Sequence, residues 1–313
     1  MRWNIGYLLS FLLILLANSG LQAQQDAMYT HYMYNTLAVN PAYAGSRDAL
    51  TATLLHRSQW VSFPGAPVTQ TLTLHSPVFN ANFASGLSVV NDKVGPLSNT
   101  SVYVDAAYIM FLNGEDRLAF GIKAGVDFFR GAFSDIQTGV DGDNVFGFDV
   151  GGDVKPNFGL GVYYYTPTLY LGASMPALLA HNYEVDEGEQ TTVAYTRARH
   201  LYLIGGTVIE IHRDLKLKPT TFLKMTPGAP IEVDLTTTAI YRERFHGGLM
   251  YRTDDAAGVL LGFDISEQLF AGYSFDWSFR NLTTRYNAGS HEVALRYDFI
   301  YKNRRRIKSP RYF

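Results

Sequence analysis

The chain contains no cysteine in 313 residues. That absence excludes a disulfide scaffold, thiolate metal sites and a cysteine nucleophile. It also removes the usual staple of exported domains, so hydrogen bonding and packing must supply the stability. Charge of one sign is not in excess either. The net charge is −2, so no global field draws the chain to nucleic acid or to an acidic membrane. Beyond the N-terminal leader, no uncharged apolar run approaches the roughly 20 residues that a membrane helix needs. Helical periodicity is nearly absent; only 28–38 has the spacing for a short turn of helix.

Catalytic and metal signatures are equally sparse. The eight histidines (His31, His56, His75, His181, His200, His212, His246, His291) are scattered, with no His-Glu-x-x-His spacing. "DGDNVFGFD" at 141–149 has Asp141 and Asp143 where a calcium loop has ligands. Val145 stands where an oxygen belongs, though, and no Glu ends the loop, so a solvated loop is the expectation. Gly159 and Gly161 form a lone Gly-x-Gly inside a strand pattern. Without a following helix they cannot cradle phosphate, and in a barrel strand glycine makes room for a neighbouring interior side chain. No Gly-x-Ser-x-Gly occurs, and nothing implies a cofactor.

What the chain does have is apolar and aromatic content. Hydrophobic residues make up 47%, with Tyr 21, Phe 20 and Gly 28, a balance that suits strands and turns. Arg2 followed by "GYLLSFLLILLA" (6–17) reads as an export leader. Cleavage is expected between Ala23 and Gln24, although Leu21 is large for its place. No cysteine follows the cut, so this is not a lipoprotein signal. Export leaves the periplasm, the exterior or an outer-membrane barrel as destinations.

Period-2 alternation decides among them. In "RLAFGIKAGVDFF" (117–129), Leu118, Phe120, Ile122, Ala124, Val126 and Phe128 share one face, while Ala119, Gly121, Lys123, Gly125 and Asp127 share the other. About fourteen such segments are legible: 50–57, 67–76, 83–91, 99–112, 116–129, 155–165, 167–175, 198–211, 215–225, 230–241, 244–252, 256–265, 267–276 and 290–300. Connections alternate between tight ones (113–116, 166–167, 212–214, 242–244, 266–267) and longer ones (130–154, 176–197, 277–289), with 57–66 and 92–98 of middling size. Exceptions are 226–229 and 253–255, which are short where a long loop is due, and 77–82, which is longer than a tight turn. Short turns on one rim and long loops on the other are the pattern of outer-membrane barrels.

The expectation is therefore an all-β, transmembrane, antiparallel barrel of about fourteen strands, with lipid outside and both termini periplasmic. Its parts are a cleavable leader (1–23), an N-terminal periplasmic segment or plug (24–49), the barrel (50–300) and a basic periplasmic tail (301–313). A soluble sandwich accounts for one such strand but not for their repetition. Nor does it account for tyrosines near strand ends (Tyr163–Tyr165, Tyr241, Tyr251, Tyr297, Tyr301), which read as interfacial girdles. Lumen-facing charges are expected at Asp105, Lys123, Asp127, Glu232, Asp234, Asp264, Arg296 and Asp298, and also at Asp276, Glu292, Lys216, Lys218, Lys224, Arg244 and Arg252. Their balanced signs suggest ion-pair networks across a narrow or plugged interior; a plain water-filled channel is the alternative. On this reading arginine is costly at Ile122 and tolerated at Ala119.

"QDAMYTHYMYNTLAVNPAYAGS" (25–46) closely resembles the start of mature proteins of the PorP/SprF family of type IX secretion system membrane proteins. "HRSQW…GAP" follows, with Arg57, Gln59, Trp60, Gly65 and Pro67 in the family's Arg-x-Gln-Trp loop. "NDKVGP" (91–96), "PNFGLGVYYY" (156–165), "GASMPALL" (172–179) and "GSHEVALRYDF" (289–299) continue the match over essentially the whole mature chain. Ala27 departs from the family's usual Pro. The resemblance implies a Bacteroidota outer-membrane barrel tied to type IX secretion and, in gliding species, to motility. It would be non-enzymatic and sit in outer-membrane lipid. Its partners would be the C-terminal domain of a secreted adhesin-type protein and other secretion components, with no nucleic acid. A general diffusion porin is the alternative function, and a barrel enzyme a more distant one. Tyr29, Tyr32, Tyr34 and Tyr43 stand as anchors for a partner or as contacts of a plug. Arg57, Gln59 and Trp60 stand as partner or plug contacts, with Arg57 and Trp60 otherwise packing on the rim.

Overall fold

The computed structural model describes residues 28–78, 82–132, 149–186, 191–279, 288–300 and 312. The expected leader with Ala23 and Gln24, the calcium-like positions Asp141 and Asp143, Tyr301 and the tail up to 311 lie outside the described residues.

The alternating segments pair as a continuous antiparallel wall. Its first half is β1 (Leu50–Ser58), β2 (Val68–Val78), β3 (Phe83–Val94), β4 (Leu97–Phe111), β5 (Arg117–Gly131), β6 (Val150–Tyr165) and β7 (Leu169–Met175). A separate hairpin follows, β8 (His181–Asp186) and β9 (Thr191–Arg197). The second half is β10 (Leu201–Thr207), β11 (Ile209–His212), β12 (Leu215–Met225), β13 (Glu232–Tyr241), β14 (Phe245–Arg252), β15 (Ala256–Asp264), β16 (Leu269–Ser278) and β17 (Ser290–Phe299). β10 and β11 are two halves of one stave, so the fifteen-stranded sheet is a barrel of fourteen staves. Closure comes from β1 on β17, in register from Leu50 opposite Phe299 to Ser58 opposite His291. β10 bridges β7 and β12 on the far side. Closure leaves no edge, which hydrocarbon requires because it offers a backbone no hydrogen-bond partner.

The faces divide by chemistry. On β5, Ile122 is 60% exposed while Lys123 is 3% exposed. The outward stripe from Leu118 to Phe128 spans about 25 Å at ordinary rise and tilt, the height of a barrel's lipid belt. Asp105, Lys123, Asp127, Asp234, Arg296 and Asp298 are buried inside, and Glu232 and Asp264 are half-buried on the inner face. Arg244 lies instead in an exposed turn.

Three differences from the sequence reading have local causes. β3 and β4 run on to a two-residue turn at Gly95 and Pro96, where a middling loop is expected; Gly95 takes φ +56, which only glycine adopts freely. The long connection 176–197 folds β8 and β9 into the mouth. There Tyr183 lies on Phe129, ring centroids 4.4 Å apart, and Arg197 pairs with Asp127. Tyr163 and Tyr165 are not girdle residues: their odd positions on β6 point inward and both are buried, whereas Tyr241, Tyr251 and Tyr297 do face outward.

Ala119 is fully buried in the interior core, so no water-filled room awaits a longer side chain there. The expected tolerance of arginine at this position is thereby removed. Ile122→Arg should destabilise the barrel by about 2–4 kcal/mol through transfer of a charge into lipid. Ala119→Arg should also block assembly, through overpacking, whereas Ala119→Gly should not. Heat-dependent gel mobility of the three variants checks this.

Candidate functional site

Residues 28–49 form a folded segment inside the barrel, and its conformation follows from a few residues. A single turn of helix, α1 (Thr36–Val39), is followed by a 3₁₀ turn over Pro41–Tyr43. Asn40 joins them. Its N–H closes α1 on the Thr36 carbonyl at 2.8 Å, and its side-chain oxygen accepts the Ala42 N–H at 3.0 Å. Pro41 then opens the 3₁₀ turn, where its missing N–H costs nothing. The Asn40 amide donates to the Val162 carbonyl of the wall at 3.1 Å. The wall makes space for this knot with glycine. A Cβ at Gly121 would strike the backbone of Pro41 and Ala42, and one at Gly161 would strike the Asn40 side chain.

Three sets of polar contacts hold the segment along its length. At the end where the long connections leave, the Arg57 guanidinium pairs with Asp276 at 2.6 Å and Glu292 at 3.3 Å, and donates to the Thr30 hydroxyl at 2.7 Å. Glu292 also accepts the Thr30 N–H (2.9 Å), the His31 N–H (2.6 Å) and His31 Nδ1 (2.7 Å). Midway, Lys123 pairs with Asp105 at 3.3 Å and donates to the Leu37 carbonyl at 3.2 Å. Ser174 donates to the Val39 carbonyl at 2.7 Å. At the short-turn end, Arg47 grips Asp298 through two nitrogens, at 3.0 and 2.8 Å, and Arg117 grips Asp48 at 2.6 and 3.0 Å.

The segment therefore runs the length of the interior. Its described start, at residue 28, lies at the long-connection end; the expected mature N-terminus at Gln24 lies outside the described residues. β17 does finish at the short-turn end.

The four tyrosines singled out in the sequence are all buried within the barrel. Tyr32 stacks on Phe222 at 4.9 Å, Tyr34 on Phe270 at 4.5 Å, and Tyr43 meets His75 and Tyr163 edge-on at 5.3 and 5.5 Å. Tyr29 shares its hydroxyl with Thr71 at 3.3 Å. The Tyr32 and Tyr34 phenols are packing groups of the interior. Arg57 is buried in the cluster around Thr30, so it contacts the interior segment and does not cap the rim. Gln59 and Trp60 are half-buried in the adjoining loop. The Gln59 N–H bonds the Pro67 carbonyl at 2.9 Å, and the Trp60 N–H bonds the Ser290 hydroxyl at 3.2 Å. Asn40, Asp48 and Ser174 are contacts the sequence reading passed over. Their signal is the run of small inward residues (Ala119, Gly121, Gly161, Gly172) that marks where something bulky must sit. Elsewhere on the inner wall Arg252 grips Asp234 at 2.8 and 2.9 Å. Among the described residues, no group of three or more metal-ligating side chains converges.

The model of the family described as type IX secretion system membrane protein PorP/SprF matches residues 21–297. The chain belongs to the PorP/SprF family. Among solved structures it is similar to the CymD monoaromatic hydrocarbon channel, with TM-score 0.51 and 12% identity over 91% of this chain and 96% of that one. It is also similar to a Pseudomonas aeruginosa FadL homologue, with TM-score 0.47 and 13% identity over 85% of this chain and 94% of that one. The Acinetobacter baumannii outer-membrane protein Omp33 gives TM-score 0.43 and 10% identity over 81% of this chain and all 100% of that one. At these identities the likeness shows the fold alone, that of an outer-membrane β-barrel. No curated protein matches the chain. In this PorP/SprF-family barrel, "NPAYAG" is the knot of the interior segment, "FGLGVYYY" is its socket, and Arg57 and Glu292 are its upper clamp.

Removing one member of a buried ion cluster strands the others. Arg57→Met should cost about 3–5 kcal/mol by leaving Asp276 and Glu292 without their cation. The triple change Arg57→Met, Asp276→Asn, Glu292→Gln should recover much of that loss. The midpoint of the heat-dependent gel shift measures both.

Proposed function

We propose that this protein is a non-enzymatic, closed outer-membrane barrel of the type IX secretion apparatus. It works through its rims, as a docking platform for the C-terminal domain of a secreted adhesin-type protein and for other secretion components. In this reading a leader ending at Ala23 exports it, the short turns face the periplasm, and the host belongs to the Bacteroidota, where gliding species would use it for motility. The observation that carries the proposal is the filled lumen. A path through the barrel would have to break the clamps at Arg57, Arg47 and Arg117 and unpack the tyrosines between them. A solute pathway needs the opposite, a hydrated bore with weakly held contents. What the fold leaves free for recognition is the long-connection rim, where β8 and β9 and the loop 59–67 stand, and the short-turn rim. Family membership supports the secretion role; the geometry supports the closed state.

The general-porin reading makes the contrary prediction, and two measurements separate the two. Purified protein in planar bilayers should show no large, steady conductance steps. Affinity purification from native membranes should bring down a secreted protein through its C-terminal domain, together with type IX components. Steady open-channel steps would favour the porin. A silent barrel that co-purifies with neither kind of partner would remove the docking role.

A further inference from the structure

The interior segment does not fill the barrel evenly. At the short-turn end, between Arg47 and the inner faces of β13 to β17, lies a cavity of about 530 Å³. Its walls are polar and charged, carrying Arg47, Arg296, Asp298, His246 and Asp264, with Phe270 at its back. The turns 242–244 and 266–268 form its lip.

One residue from far along the chain also lines it. Tyr312, the penultimate residue, is held by four contacts. The Lys216 ammonium lies over its ring, 4.6 Å from the centroid, and donates to its hydroxyl. That hydroxyl donates to a Glu243 carboxylate oxygen at 3.2 Å. Lys218, whose ammonium also lies 5.3 Å from the Tyr34 ring of the interior segment, donates to the Tyr312 backbone carbonyl. Ring, hydroxyl and main chain are thus each recognised, by groups from β12 and from the turn between β13 and β14. A cation over an aromatic face with a hydrogen-bonded hydroxyl is a specific arrangement for a phenol, and a Lys to a main-chain carbonyl fixes the strand's depth.

We propose that the short-turn mouth is a binding site for the chain's own C-terminal end, with Tyr312 as the inserted side chain and Lys216, Lys218 and Glu243 as its receptor. The N-terminal segment fills the bore, and Tyr312 lines the cavity left beside Arg47. Because Lys218 touches both, the latch lies directly on the interior segment. The inference does not depend on which rim faces the periplasm or on the identity of any partner.

The absence of native cysteine makes the test clean. A single cysteine appended after Phe313 leaves every receptor contact intact. It is paired either with Glu267→Cys, on the lip of the cavity, or with Glu115→Cys, on another short turn of the same rim. A short bismaleimide is applied to the folded full-length protein, and cross-linking is read as a change in gel mobility. Docking predicts that the 267 pair cross-links about tenfold more than the 115 pair, because a seated end has a high effective concentration only near its receptor. Tyr312→Ala and Lys218→Met should each bring the two yields together, while the heat-dependent shift of the Tyr312→Ala barrel stays unchanged. Equal yields at the two turns in the otherwise unaltered chain, or a preference that survives Tyr312→Ala, would overturn the proposal.

Discussion

Everything in this structure depends on the closing ladder between β1 and β17. Hydrocarbon offers no partner for a backbone N–H or carbonyl, so a spanning sheet must return on itself. The register from Leu50 opposite Phe299 to Ser58 opposite His291 achieves this. It also fixes which side chains look inward on every stave, because a slip of one residue would exchange the two faces. Arg57, Arg296 and Asp298 reach the interior only in this register.

Once closed, a bore of this size must be filled with water or with protein. This chain uses protein, and that choice brings charges out of water. Buried ions are tolerated only when paired and fully hydrogen-bonded. The interior meets this condition in clusters rather than in a ring of one sign: Arg57 with Asp276 and Glu292, Arg252 with Asp234, Lys123 with Asp105, Arg47 with Asp298. Two of the clusters join elements that the chain separates by more than two hundred residues, through Thr30 with Glu292 and Arg47 with Asp298. They bind the interior segment to the last stave.

The wall was legible because period-2 alternation is a local signal, and lipid makes it strict. All fourteen staves lie where the alternation places them, and the inner face of β5 follows from one lysine and one aspartate. The interior was less legible, for physical reasons. Alternation separates in from out but does not distinguish water from packed protein on the inner side, so Ala119 looked permissive and Tyr163 and Tyr165 looked interfacial. Arg57 sits next to a rim loop in sequence, and only the distant Asp276 and Glu292 reveal that it turns inward. The course of residues 28–49 could not be read from their own pattern, because a segment with four residues of helix and one 3₁₀ turn has almost no period. Its sockets were visible as Gly121 and Gly161, yet small residues announce a neighbour without naming it. β8 and β9 were hidden in a connection whose length alone suggested a loop.

The central claim is that residues 28–49 are a permanent part of the barrel's core. Amide hydrogen exchange of the intact protein in detergent tests it most directly. Peptides covering 30–48 should exchange as slowly as those from β4 and β5, because the amides of Thr30, His31, Asn40 and Ala42 are buried and bonded. Full exchange of these peptides within seconds, while the strands stay protected, would show an open bore with a loose segment and would contradict the account.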